Sequence, residues 1–319
     1  MGRSVRSDLA AEVHAFLREG GAGEIPGVRW REEQRGAVTV TRVEILDRRG
    51  EAAMGKAPGT YVTLESSQLR RRDRQVQEAV ARLLAEELAG LLRLESDALV
   101  LVVGLGNWNA TPDALGPRVV GSILVTRHLG EFAPREVAGR LRPVCAVAPG
   151  VLGLTGIETG EIVRGIVDRV RPAAVVAVDA LASRSVARIT TTIQLTDAGV
   201  RPGSGVGNHR TGIDRETLGV PVTALGVPTV VHAATIVEDA LERLREGEDG
   251  PVRTALAGLD EGESRRLLRE VLPPAVGDLM VTPKEIDVLM DDLSRVVAGG
   301  INGALHPGIG GENLLRYWE

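Results

Sequence analysis

The sequence predicts an α/β protein with a mainly parallel sheet flanked by helices. Two observations carry that reading. Apolar runs of strand length, at residues 99–103, 144–148 and 173–178, alternate with helical stretches. Such a succession calls for right-handed crossovers between strands that run the same way. Aromatic residues make up only 2% of the 319 residues. Val, Leu, Ile and Ala must therefore fill the core, the mix common in buried parallel sheets with packed helices.

Along the chain, residues 8–18 read as a short helix with Leu9, Val13 and Phe16 or Leu17 on one face. Alternating runs at 38–45 and 61–64 fit half-exposed strands. A helical period through Val76, Val80, Leu83, Leu84, Leu88 and Leu91 predicts a helix over 73–94. Residues 7–95 are thus an N-terminal αβ extension of a single domain spanning 1–319. The run 99–103 ends at Gly104 and leads to a helix expected over 114–128. The strand at 144–148 precedes a helix over 158–170, and strands follow at 173–178, 189–195 and 222–225, with a helix over 230–245. Residues 246–280 read as a surface excursion, polar and Gly-rich at its start. A last helix is expected to open on Thr282 as N-cap, Pro283 at the first helical position and Glu285 closing a capping box.

Composition narrows the function classes. A net charge of −5 offers no electrostatic reason for nucleic acid as a direct ligand. The basic run Arg70–Arg74 reads as the solvated start of a helix. One cysteine, Cys145, excludes an internal disulfide and sits in an apolar run as a buried small hydrophobe. The first twenty residues lack an apolar signal core, and no apolar stretch reaches membrane-spanning length. A cytoplasmic protein without a membrane partner is expected.

Ligands of open α/β sheets bind beyond the carboxyl ends of the strands. Two strong runs place a carboxylate there: Asp113, after the loop that follows Gly104, and Asp179, directly after Val178. Each has a plainer reading. Thr111-Pro112-Asp113 fits a helix start, and Asp179 fits the cap of a turn over 180–182. Together the two carboxylates could share a proton, one ionised to take a proton from water and one neutral to polarise a carbonyl. The glycine loop at 104–109 lacks the third glycine of a dinucleotide fingerprint, and the loop at 203–210 lacks the Gly-Lys-Ser/Thr of a phosphate loop. No two of the five histidines form a close metal-binding pair; His232 alone follows a strand end.

The motifs then become specific. The stretches 107–117 with 125–128, 148–159, 178–184, 202–208, 226–231 and 281–287 resemble, in order, the spore germination protease family. The resemblance implies an endopeptidase that starts the degradation of small acid-soluble spore proteins in the spore core during germination. It also implies a zymogen, a homotetramer, and a fold like that of hydrogenase maturation proteases. Its two catalytic aspartates fall on Asp113 and Asp179. A short propeptide is expected over 1–6, with its cleavage region at Arg6, Ser7 and Asp8. The family commonly carries an acidic residue where this chain has His232. No cofactor is expected. Two rivals stay open: a maturation-type protease whose metal is held by Asp113, Asp179 and His232, and a non-catalytic α/β binding module.

Overall fold

A computed structural model describes residues 7–19, 23–129, 141–201, 211–237, 240 and 279–307. In chain order the strands are β1 (Val28–Arg35), β2 (Val38–Ile45), β3 (Gly59–Glu65), β4 (Val100–Gly104), β5 (Val144–Val147), β6 (Ala174–Ser183), β7 (Thr192–Thr196), β8 (Val222–His232) and β9 (Met280–Val281). The helices are α1 (Ala10–Glu19), α2 (Arg48–Met54), α3 (Arg74–Leu92), α4 (Leu115–Val120), α5 (Leu152–Thr155), α6 (Thr159–Val170), α7 (Arg215–Leu218) and α8 (Ile286–Leu305).

Among the described residues all nine strands join one sheet, ordered β1-β2-β3-β7-β8-β6-β4-β5, with β9 paired to β8. Pairings β5–β4, β4–β6 and β6–β8 are parallel, whereas those from β8 through β7, β3 and β2 to β1, and from β8 to β9, are antiparallel. The sheet is therefore mixed, not mainly parallel. The reason lies in the link between β6 and β7. Residues 184–191 hold only a 3-10 turn, Val186–Arg188, too little chain to return to the far end of the sheet. β7 must start where β6 ends and run the other way. Its partner β3 joins the N-terminal strands to the same sheet.

β1 escapes a reading based on hydrophobic period because seven of its eight positions are exposed. It is the outermost strand, and its run of Arg and Glu side chains suits an edge. The ion pair Arg29–Glu44 spans β1 and β2 at 2.8 Å. Such half-exposed pairs contribute roughly 0.2–1 kcal/mol, so the strand is held chiefly by its ladder.

Several boundaries differ from expectation. α4 stops at Val120, not near His128, because Thr126 and Arg127 both donate their N–H groups to Val144 O at 2.9 Å. Backbone donors committed to β5 cannot serve a helix, and His128 lies exposed in the following turn. β8 continues to His232, past the expected end at Leu225. A register shift opposite Leu181 and Ala182 accommodates Pro228, which cannot donate to a ladder. α8 begins at Ile286 without a side-chain cap, and Thr282 Oγ1 donates to Thr229 O at 2.8 Å instead. Of the helix expected over 230–245, the described part starts at Ala233. The excursion at 246–280 lies, up to residue 278, outside the described residues.

The two faces of the sheet are covered differently. On one face Val176 and Val178 of β6, Ile193 and Leu195 of β7 and Leu225 and Val227 of β8 pack under α3, α4 and α8. The alternate residues point to the other face, which carries two separate clusters. Val175 and Ala177 of β6 meet Val163 and Val167 of α6 and Leu218 of α7. Tyr61 of β3 and Val43 and Ile45 of β2 meet Ala10 and Val13 of α1 and Met54 of α2. Between these clusters the same face of β6, β8 and β7 opens onto a cleft.

Behind α8, His306 is fully buried with Nε2 3.1 Å from Leu124 O. Burial holds its pKa below the usual 6.5, the Leu124 carbonyl opposes this, and Arg142 adds to the lowering. A depressed histidine contributes stability that is complete above pH 6.5 and lost as the pH falls below it, because the unfolded chain takes the proton first. The unfolding free energy from urea titration should therefore fall between pH 7 and pH 5, by up to about 1.4 kcal/mol per proton per pH unit. His306→Gln, which keeps an N–H donor, should flatten that fall.

Candidate active site

The cleft owes its position to a mismatch in strand length. β4 ends at Gly104, opposite Val178, while β6 runs on to Ser183. Asp179 is the first β6 residue beyond that limit. It lies inside the strand, so it caps no turn, and it is 8% exposed with Oδ1 accepting the Ala180 N–H at 2.9 Å. Gly226 of β8 stands opposite Asp179, and Gln194 of β7 stands opposite Gly226. One row of the sheet thus reads Asp179, Gly226, Gln194, the two outer backbones about 10 Å apart. A Cβ on Gly226 would come within 2.5 Å of Leu181 Cγ.

Asp113 arrives from the opposite wall. It ends a 3-10 turn, Thr111–Asp113, in front of α4, and the N-cap position falls on Ala110, not on Thr111. Asn107 N–H donates to Asp113 O at 3.0 Å and to its Oδ2 at 2.9 Å. Leu105 N–H donates to Val178 O at 2.7 Å, which ties the same loop to β6. The loop closes this tightly because Gly106 has φ +115° and no Cβ, which would lie 2.0 Å from Asp113 O.

Asp113 and Asp179 line one cleft of about 830 Å³ together with Asp8, Lys56, Gln194 and Gly226. The N-terminal segment lies along it. Asp8 N–H donates to Ala182 O at 3.0 Å, and Asp8 Oδ2 accepts the Ala182 N–H at 2.9 Å. Glu12 on α1 accepts the N–H groups of Arg184 at 2.6 Å and Ser185 at 2.9 Å, and it bonds the Ser7 hydroxyl. The Arg184 guanidinium lies 4.4 Å from the Phe16 ring centre. Lys56 and Gln194 were not legible as site residues. The available signal was the single amide in the otherwise hydroxyl and aliphatic strand Thr192–Thr196.

Other candidates lie elsewhere. His232 is buried at the far end of β8, six positions beyond Gly226 and so roughly 20 Å along the strand. It does not line the cleft. Among the described residues no three His, Cys, Asp or Glu side chains are grouped to hold a metal ion. Cys145 is half-buried, not fully buried, with burial raising its thiol pKa. The basic run is less free than a solvated face. Arg70 donates to the carbonyls of Val186 at 2.8 Å and Ile189 at 2.6 Å, and Arg72 pairs with Asp292 at 2.5 Å. Arg6 and the loop at 203–210 fall outside the described residues. No described helix is long and apolar enough to cross a membrane.

The pattern of the germination protease family matches residues 6–247 and 250–318. The chain belongs to the germination protease family. A germination protease of Caldanaerobacter subterraneus is 51% identical over 96% of this chain and 95% of its own. That of Clostridium tetani is 46% identical over 98% and 99%. That of Bacillus mycoides is 43% identical over 98% and 97%. The chain is therefore a peptidase of spore germination, as the resemblance implied.

Gly106→Ala tests the loop. The new methyl group must displace Asp113 O, and the left-handed backbone adds about 1–3 kcal/mol of strain. The variant is expected to fold with a lowered Tm and to lose most of its peptidase activity, whereas Gly153→Ala, with open space around its Cβ position, should change neither.

Proposed function

We propose that the protein is an endopeptidase that initiates degradation of small acid-soluble spore proteins, with Asp113 and Asp179 activating water as a pair. The observation that carries this reading is that both carboxylates, from different elements, line the same cleft. Its volume of about 830 Å³ leaves room for an extended stretch of polypeptide. One ionised carboxylate takes a proton from water, which attacks the carbonyl carbon. The partner, protonated, passes a proton to the departing amine. No covalent intermediate forms. The row of β6, β8 and β7 supports Asp179 from a rigid sheet, while the loop at 105–113 supports Asp113 through the Asn107 N–H.

The metal alternative with Asp113, Asp179 and His232 finds no support in the position of His232, and a binding module without catalysis leaves the family match unexplained. Homotetrameric assembly in the spore core belongs to the same proposal. So does limited self-processing near Arg6, Ser7 and Asp8: Ser7 and Asp8 lie beside the cleft, held by Lys56 Nζ at 3.2 and 2.9 Å. Intact-mass measurement of active enzyme should show loss of these first residues; a fully active enzyme of unchanged mass would remove processing from the scheme.

Asp113→Asn and Asp179→Asn should each fold normally and lose at least about 10²–10⁴-fold in turnover of a purified small acid-soluble spore protein. A folded Asn variant keeping more than about a tenth of wild-type turnover would end the aspartate reading.

A further inference from the structure

Two side-chain donors converge on one peptide oxygen inside the cleft. Lys56 Nζ lies 2.9 Å from Asp8 O, and Gln194 Nε2 lies 3.0 Å from the same atom. Gln194 also accepts the Ala10 N–H through Oε1 at 2.7 Å, so one amide grips the main chain on both sides of the fully buried Leu9. Asp8 N–H meanwhile donates to Ala182 O, three residues along β6 from Asp179. The segment bends at Asp8 on its way into α1, held at the β6 edge through Asp8, and the Asp8 carbonyl is doubly bonded by side chains.

Lys56 also donates to Ser7 O at 3.2 Å, so its ammonium group bridges two successive carbonyls of the segment. A neutral donor would satisfy a peptide carbonyl, and withdrawing a cation from water is costly unless charge faces it. Burial pushes the Lys56 pKa down, and the carboxylates of Asp8 and Glu12 pull it back up. Paired donors aimed at a carbonyl oxygen in a sheltered site do, however, serve acyl transfer, where they stabilise the charge that develops on that oxygen. Gln194 belongs to the row that holds Asp179, so the sheet fixes the spacing between donor and carboxylate.

We propose that Lys56 and Gln194 are catalytic residues that clamp the oxygen of the scissile carbonyl, in the place that Asp8 O marks. The proposal rests on the aspartate-pair reading above. Water adds through its oxygen to the carbonyl carbon, and its proton passes to the ionised carboxylate of the pair. The carbonyl π electrons move onto the oxygen, where the Lys56 and Gln194 N–H groups hold the negative charge. Those electrons re-form the double bond as the C–N bond breaks. The nitrogen takes a proton from the protonated carboxyl, which leaves a new carboxyl end and a free amine.

Turnover of a purified small acid-soluble spore protein by Lys56→Met and Gln194→Leu tests this, with Asp113→Asn measured alongside. Loss of one donor should lower kcat by about 10²–10³-fold with KM within about threefold, and Tm should fall as well, because Ala10 N–H or the Ser7 and Asp8 carbonyls lose a partner. Lys56→Gln, which restores a neutral donor, should recover part of kcat. Should Lys56→Met fail to fold, Lys56→Gln must still fall below wild type in kcat and not in KM. A rise in KM at unchanged kcat would overturn the clamp and leave Lys56 as a ground-state tether. The clamp also falls if folded Lys56→Met and Gln194→Leu keep more than about a tenth of wild-type kcat while Asp113→Asn is inactive. An active Asp113→Asn variant would sink the aspartate reading instead, and the clamp would then be judged on kcat alone.

Discussion

The structure turns on the stretch of β6 that outruns its neighbour. Beyond Gly104 no strand among the described residues accompanies β6 on that side, yet Asp179 to Ser183 are largely buried. Buried backbone groups must find partners, since leaving one unpaired costs about as much as a lost hydrogen bond. Each solution adopted here also shapes the site. The loop after β4 folds back so that Leu105 N–H reaches Val178 O, and this brings Asp113 over the strand end. The N-terminal segment supplies Asp8 to Ala182, and α1 supplies Glu12 to Arg184 and Ser185. Satisfying the edge and assembling the cleft are one process.

The reversal of strand direction at β7 completes the arrangement. Because β7 runs against β8, it returns the sheet to the N-terminal strands and places Gln194 level with Asp179. Helices then cover the two flanks of that face, α6 and α7 on one side and α1 and α2 on the other. The uncovered strip between them is the floor of the cleft. Polar side chains sit there on rigid strands, which fixes their separation more closely than loops would.

Sequence reading recovered the elements whose hydrophobic period is strong and local. β2, β4, α3 and α6 lie within two residues of their expected limits, because burial on one or both faces dictates their pattern. It failed where a distant strand decided the outcome. α4 is short because β5 takes its backbone donors, and β8 is long because a bulge absorbs a proline. The direction of β7 is a property of a short connection, not of its own residues. In the site, Asp113 and Asp179 stood out because each follows an apolar run. That both line one cleft depends on the loop turn at Gly106, and the presence of Lys56 depends on Met54 of α2 joining Tyr61 and α1 in one cluster; neither is written in spacing along the chain.

β1 closes the sheet at its outer margin, and its side chains carry a further consequence. A strand with one unpaired edge is a template on which another chain can grow, the step that begins fibrils. Arg29, Arg31, Glu32, Glu33 and Arg35 place charge at five of its eight positions. A second copy aligning there would have to strip water from those groups without burying apolar surface in return. The margin is thereby insulated against self-templating, a property of value to any sheet protein stored at high concentration.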